Sequence, residues 1–247
     1  MGAKKKILIV IPARWKSKRF IGKPLAKIMG KPVLKHVWLK CIQSKKADNV
    51  VVATDNFKIK QFCQKENMDV IMTSSKHLTG TDRVSEVSKK IYADIYVNVQ
   101  GDEPLIDPKN IDIIINSLIK KIPRGFSIST GYEITNIGQN KKKSKNFIVK
   151  SKTNRLIFIT RSEIPSNYKK KENRLMHIGL FAFTKEALKK FSSYKIGVLE
   201  KNESNELLRL VENDENIFCV PIKNCGLAVD YPSDISKIET FIKKKKN

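Results

Sequence analysis

Over its first 125 residues the chain alternates short apolar runs with helical patterns. Lys6–Ile11 (KILIVI), Asn49–Thr54 (NVVVAT), Asp69–Thr73 (DVIMT) and Asp94–Val99 (DIYVNV) are too short for helices and rich in β-branched residues, so they read as buried strands. Between them, Pro32–Ser44 sets Val33, Val37 and Cys41 on one helical face, and Phe57–Asn67, Asp82–Ile91 and Pro108–Lys121 also read as helices. Thr81 is the expected cap of the third helix, and Pro108 suits the first turn of the fourth. A β-α-β-α rhythm of this kind predicts an α/β fold, a mostly parallel sheet with helices on both faces.

After residue 125 the rhythm changes. Phe126–Ile134, Asn146–Ser151, Arg155–Thr160 and Met176–Thr184 read as strands without full helical crossovers. Helices are expected at Lys185–Ser192 and Glu203–Val211, then a strand at Ile217–Ile222 and a closing helix at Ser233–Lys244. No repeat and no linker rich in Gly, Pro or Ser divides the chain. One α/β domain over 1–247 with a mixed C-terminal extension is expected.

Composition excludes several classes. The 247 residues are 40% hydrophobic and 30% charged, enough apolar content for a sizeable core. No apolar stretch approaches the ~20 residues that span a bilayer, and Lys4–Lys6 followed by Ile7–Ile11 is too short for a signal peptide, so a membrane location is not expected. Cys41, Cys63, Cys219 and Cys225 lack CxxC spacing, which suits free thiols in a reducing cytoplasm. The formal charge of +25 invites a nucleic-acid reading, but it comes from 41 Lys scattered everywhere and only eight Arg. Aromatic residues are 8% of the chain and show no stacking motif, so no nucleic-acid partner is expected. The lysine-rich turns at 140–145 and 169–171 read as solvated.

Parallel sheets bind ligands beyond the carboxyl ends of their strands. After the first strand, IPARWKSKRFIGKPL carries Arg14, Lys16, Lys18, Arg19 and Lys23 with Ser17 and Gly22, a set suited to a polyphosphate although neither a Walker loop nor GxGxxG. After the fourth, QGDEP brings Asp102 and Glu103, and Asp230 follows another apolar run in LAVDYP; a carboxylate facing a phosphate loop suits Mg²⁺. Thr73–Arg83 could enclose a base or ribose. The three histidines (His36, His77, His177) have no metal-ligand spacing, and His36 reads as structural.

These segments together resemble the CMP-Kdo synthetases (3-deoxy-manno-octulosonate cytidylyltransferases). The matching residues are IPAR at 11–14, Ser17, Arg19, GKPL at 22–25, ATD at 53–55, Gly80-Thr81 with Arg83, VNVQGDEP at 97–104, Arg161 with Ile164-Pro165, HIG at 177–179, Leu199-Glu200, Glu206, Leu208-Arg209, and Val229-Asp230 with Pro232 and Asp234. The resemblance implies a nucleotide-diphospho-sugar-transferase type fold, with a nucleotide-binding half over about 1–125 and a sugar-binding, dimerising half over about 126–247. It also implies a cytoplasmic homodimer that joins CTP to a 3-deoxy-ulosonic acid for lipopolysaccharide or capsule synthesis and releases pyrophosphate. By the same resemblance Asp102 and Asp230 hold Mg²⁺ and act in catalysis with Lys23. The nucleotide falls to Ala13, Arg14, Ser17, Arg19, Lys23, Thr73, Gly80, Thr81 and Arg83, and the sugar acid to Gln100, Arg161, His177 and Glu206. Leu207 replaces a polar Gln of the family pattern and Phe181 an aromatic hydroxyl, which raises a related acid such as an amino-Kdo as an alternative substrate. Tyr231 replaces the usual Thr and is expected to alter only packing.

Overall fold

The computed structural model describes residues 4–17, 19–135, 145–166, 173–223 and 227–246. Lys18, Cys225, most of the 140–145 turn and the 169–171 turn lie outside the described residues. The chain divides into two compact units, residues 1–112 with 225–247, and residues 113–224.

The first unit is built on β1 (Ile7–Ala13), which pairs in parallel on both sides. The two-residue strands β2 (Lys27–Ile28) and β3 (Lys31–Pro32) form a hairpin, and α1 (Val33–Cys41) follows. Then come β4 (Asn49–Thr54), α2 (Phe57–Lys65), β5 (Val70–Met72), α3 (Gly80–Lys90) and β6 (Ile95–Val99), giving the parallel order β6-β1-β4-β5. All five β6 residues and all but Pro12 of β1 are buried, the continuous apolar signature of strands covered on both faces. The expected cap of α3 moves back two residues. Thr79, not Thr81, accepts from Asp82 N (3.1 Å), while Asp82 Oδ2 accepts from Thr79 N (2.9 Å). This is a capping box, and it leaves Thr81 buried in the first turn.

α4 (Pro108–Lys121) starts in the first unit and continues into the second. The second unit holds β7 (Ile128–Thr135), β8 (Phe147–Lys150), β9 (Leu156–Thr160), β10 (Arg174–Thr184), α5 (Lys185–Ser193), α6 (Val198–Glu203), α7 (Leu207–Val211) and β11 (Ile217–Pro221). β10 runs antiparallel to β7 and β8, β8 antiparallel to β9, and β11 parallel to β7. Of the expected helix over Glu203–Val211, only Leu207–Val211 is helical, as α7, while Glu203 is the last residue of α6. The chain breaks at Ser204, which adopts a left-handed conformation (φ 50°) costly for a residue with a Cβ.

The closing helix α8 (Ser233–Lys246) belongs to the first unit. Its Ile238 packs with Ile28, Val33 and Val229, and Phe20, Leu105 and Ile235 join the same apolar cluster. Glu239 accepts from Met29 N (2.7 Å) at the β2–β3 turn, where Met29 (φ 48°) and Gly30 (φ 80°) both take positive φ, as a two-residue hairpin turn needs. That cluster carries the chain around Asp230 to the loop after β1.

Candidate active site

The site in the first unit grows from the carboxyl ends of β1 and β6. Beyond Ala13 the chain swings out with Arg14 exposed and Ser17 half-buried, and Gly22 N closes the excursion on the Trp15 carbonyl at 3.1 Å. Gly22 is needed there twice. Its φ is +72°, and a Cβ would lie 3.1 Å from the Trp15 ring. Lys58 Nζ stands over the same ring at 5.2 Å, so the indole is held between glycine and cation.

Two of the loop's cations meet the two candidate metal carboxylates. Lys23, with a side chain only 13% exposed, donates to Asp102 Oδ2 at 2.5 Å and to the Val229 carbonyl at 2.9 Å. Arg19 Nη2 donates to Asp230 Oδ1 at 2.6 Å while its guanidinium lies 5.4 Å from the centre of the Tyr231 ring. Tyr231 therefore does more than pack, because it backs the arginine that holds Asp230. Val229 N donates to the Asp102 carbonyl at 2.9 Å, so residues 127 positions apart in sequence lie on adjacent backbone segments. Asp234 was matched by the resemblance without an assigned purpose. Its buried Oδ2 accepts from both Asp230 N and Tyr231 N at 3.0 Å and so fixes the turn that presents Asp230.

Behind these carboxylates Gly101 crosses β1 so closely that a Cβ would meet the Pro12 carbonyl at 2.7 Å. Any larger residue would push QGDEP away from the loop. Gln100 reaches Asn98 Oδ1 at 3.5 Å, and the fully buried Asn98 donates to Thr81 Oγ1 at 3.2 Å. Thr81 and Gly80 thus open α3 directly beside the end of β6.

The third group lies at the ends of β4 and β5. Arg83 is buried and spends its guanidinium on the protein: Nη2 to Asp55 Oδ2 (3.0 Å), Nη1 to Thr73 Oγ1 (2.5 Å) and to the Ser74 carbonyl (3.2 Å). It braces the candidate base loop from behind. Glu86 anchors the loop's far side, accepting from Ser74 N (2.8 Å), paired with Lys90 and contacting His77 Nε2, both at 2.5 Å. Burial works against the Glu86 charge, but the Lys90 ammonium, the Ser74 N–H and His77 outweigh it and hold its carboxyl down at about 2. Glu86 did not stand out in the sequence, since a Glu inside an amphipathic helix looks like any solvated charge, and His77 was visible there only as a histidine without metal-ligand spacing.

Arg161, His177 and Glu206 lie in the second unit. His177 is buried on β10, its Nε2 2.8 Å from Thr130 Oγ1 and its ring stacked on Phe181 at 5.5 Å. Burial pushes its pKa down to about 4, so the imidazole is neutral at pH 7. Arg161 leaves β9 held by Glu203, and Glu206 stands at the N-cap of α7. Arg209 forms a bidentate pair with Glu200 (2.7 Å twice) over the Phe191 ring at 4.0 Å, both charges buried. Phe181 and Leu207, the departures that raised an amino sugar, are core residues at 3% and 0% exposure, so their apolar character is accounted for by packing.

Among the described residues no three His, Cys, Asp or Glu side chains cluster as a complete metal site. Asp102 and Asp230 alone fit a cation that takes one or two carboxylates and completes its shell with substrate oxygens, as Mg²⁺ does. No described helix is long and apolar enough to cross a membrane.

The model of the cytidylyltransferase family matches residues 8–217. An 8-amino-3,8-dideoxy-manno-octulosonate cytidylyltransferase of Shewanella sp. (strain W3-18-1) is 36% identical over 94% of this chain and 97% of its own length. A 3-deoxy-manno-octulosonate cytidylyltransferase of Escherichia coli is 33% identical over 96% of both chains. Among solved structures, CMP:2-keto-3-deoxy-manno-octonic acid synthetase complexed with CTP superposes with a TM-score of 0.92 at 32% identity, covering 97% of this chain and 99% of that one. A resemblance first carried by IPAR, GKPL and VNVQGDEP thus extends over nearly the whole chain and its fold, and the chain belongs to the CMP-Kdo synthetase family of cytidylyltransferases.

Proposed function

We propose that the chain joins CTP to Kdo, yielding CMP-Kdo and pyrophosphate, an activation step that serves lipopolysaccharide or capsule synthesis. The observation that carries this reading is the pairing of Lys23 with Asp102 and Arg19 with Asp230 on backbone segments joined through Val229. Cations for a triphosphate and carboxylates for a divalent metal are interleaved there. In the reaction the anomeric hydroxyl of the sugar attacks the α-phosphorus in line, the bond to the β-phosphate oxygen breaks, the hydroxyl proton passes to solvent or base, and pyrophosphate leaves.

Each residue then has a task. Arg14, Arg19 and Lys23 neutralise the triphosphate and the charge gathering on the departing pyrophosphate, while Ala13 and Ser17 line the turn against it. Arg19 and Lys23 exchange their carboxylate partners for phosphate oxygens as the nucleotide binds. Asp102 and Asp230 would hold Mg²⁺, which when bound would supply Lewis-acid activation of the reacting groups. Thr73, Gly80, Thr81 and Arg83 shape the base and ribose side, with Arg83 acting through the loop it braces. Gln100, Arg161, His177 and Glu206 orient the sugar acid. Arg161 suits its carboxylate, and His177 contributes as a neutral hydrogen-bonding ring.

A homodimer and a cytoplasmic setting belong to the same reading. Cys41, Cys63 and Cys219 are buried free thiols, in keeping with a reducing compartment. Light scattering after size exclusion tests the dimer. Pyrophosphate release from CTP and Kdo, with and without Mg²⁺, tests the reaction: metal-dependent release is expected, and no release with any ulosonic acid would sink it.

A further inference from the structure

Glu203 was not among the candidate residues, yet it is the group through which the exit of β9 is fixed. Its Oε1 accepts from Thr160 Oγ1 and its Oε2 from Arg161 N, both at 2.8 Å, while its own carbonyl accepts from Arg161 Nε at 2.9 Å. One residue therefore holds both the backbone and the guanidinium of Arg161. The left-handed turn at Ser204 ends α6 immediately after Glu203, and Glu206 opens α7 three residues after Glu203. Two of the candidate sugar-acid residues, Arg161 and Glu206, are thereby referred to one corner.

A carboxylate is the right group for this. It offers an acceptor oxygen to each of two donors at the end of β9, Thr160 Oγ1 and Arg161 N, and its charge strengthens both bonds. The carboxylate fixes the backbone from which the Arg161 stem starts, and the main-chain carbonyl of Glu203 limits rotation of the guanidinium at Nε. We infer that Glu203 is a positioning residue for the reaction: it holds Arg161 in the orientation that receives the sugar acid's carboxylate, and it acts on that substrate alone. The inference rests on Arg161 being the carboxylate's partner.

The test measures kcat and both KM values by pyrophosphate release for Glu203→Ala, Glu203→Gln, Arg161→Ala and the Ala double variant. Glu203→Ala is expected to raise the KM for Kdo about tenfold while the KM for CTP stays within about twofold, because only the sugar acid's partner is misplaced. Glu203→Gln retains an amide oxygen for Arg161 N and should recover most of the loss. On the Arg161→Ala background, Glu203→Ala should add less than about twofold, since it acts through that side chain. A rise in both KM values alike, or an undiminished effect on that background, would overturn the inference. An Arg161→Ala variant with unchanged KM for Kdo would overturn the assignment of Arg161 and this inference with it. A raised KM in Arg161→Ala beside an unaffected Glu203→Ala would overturn this inference alone. Should Glu203→Ala fail to fold, Glu203→Asp, which keeps the charge but shortens its reach, carries the same expectation of a KM rise confined to Kdo.

Discussion

The Lys23 ammonium lies 2.5 Å from the Asp102 carboxylate and 2.9 Å from the Val229 carbonyl, so one side chain ties the loop after β1 to the turn after β6 and to the approach to Asp230. Its neighbour Arg19 repeats the arrangement with Asp230 at 2.6 Å. The candidate phosphate-binding cations and the candidate metal carboxylates thus occupy one small region and hold each other in place.

Asp102→Asn keeps an acceptor for Lys23 and removes the charge. Its kcat is expected to fall more than about tenfold, a barrier change above about 1.4 kcal/mol, while the urea midpoint stays near wild type. A variant retaining over a tenth of the activity would show that Asp102 holds no metal.

Asp234→Ala removes the acceptor shared by Asp230 N and Tyr231 N. The Mg²⁺ concentration for half-maximal rate is expected to rise about tenfold, the usual consequence of loosening the support of a metal ligand. The KM for Kdo at saturating Mg²⁺ should hold, and Asp234→Asn should lie between the two.

Arg83 is buried against Asp55, whose side chain is 14% exposed. Arg83→Leu leaves that carboxylate and the Thr73 hydroxyl without their donor and should cost about 3–5 kcal/mol in urea unfolding at unchanged slope. Arg83→Lys should recover little of it, because a lysine cannot span Asp55, Thr73 and the Ser74 carbonyl together.

His177 gives the stability a pH dependence. Its folded pKa of about 4 lies below the ordinary 6.5, so between those values the unfolded chain binds a proton that the folded chain refuses. Stability should therefore fall as pH drops from 6.5 toward 4, by about 3 kcal/mol in all. Glu86, held at about 2, adds its own loss only below its ordinary 4.5. Urea midpoints for the wild type and His177→Gln across pH 7 to 4.5 would test this: the slope should flatten in the variant.

The sequence by itself determined the parallel sheet and where its ligand loops leave it. Fully buried strands such as β1 and β6 must be continuous apolar runs, and a cationic loop next to a strand end needs only local order to be seen. IPAR, GKPL and QGDEP were readable for that reason, and they carried the family. Tertiary structure alone decided which charges meet. Asp230 reaches Arg19, and Val229 reaches Lys23, because α8 packs on Ile28 and Val33 across some two hundred residues, and loop closure of that length leaves no local signature. Glu86 and Glu203 escaped for a related reason, as did the partners of Arg83 and Asp234. Each bonds to backbone or side-chain groups presented by other elements, and hydrogen bonding of that kind depends on three-dimensional register, which periodicity along the chain does not encode. The break at Ser204 belongs with them: the expected helix starts at Glu203, whereas α6 ends there, tied by that residue to the exit of β9, and α7 starts only at Leu207.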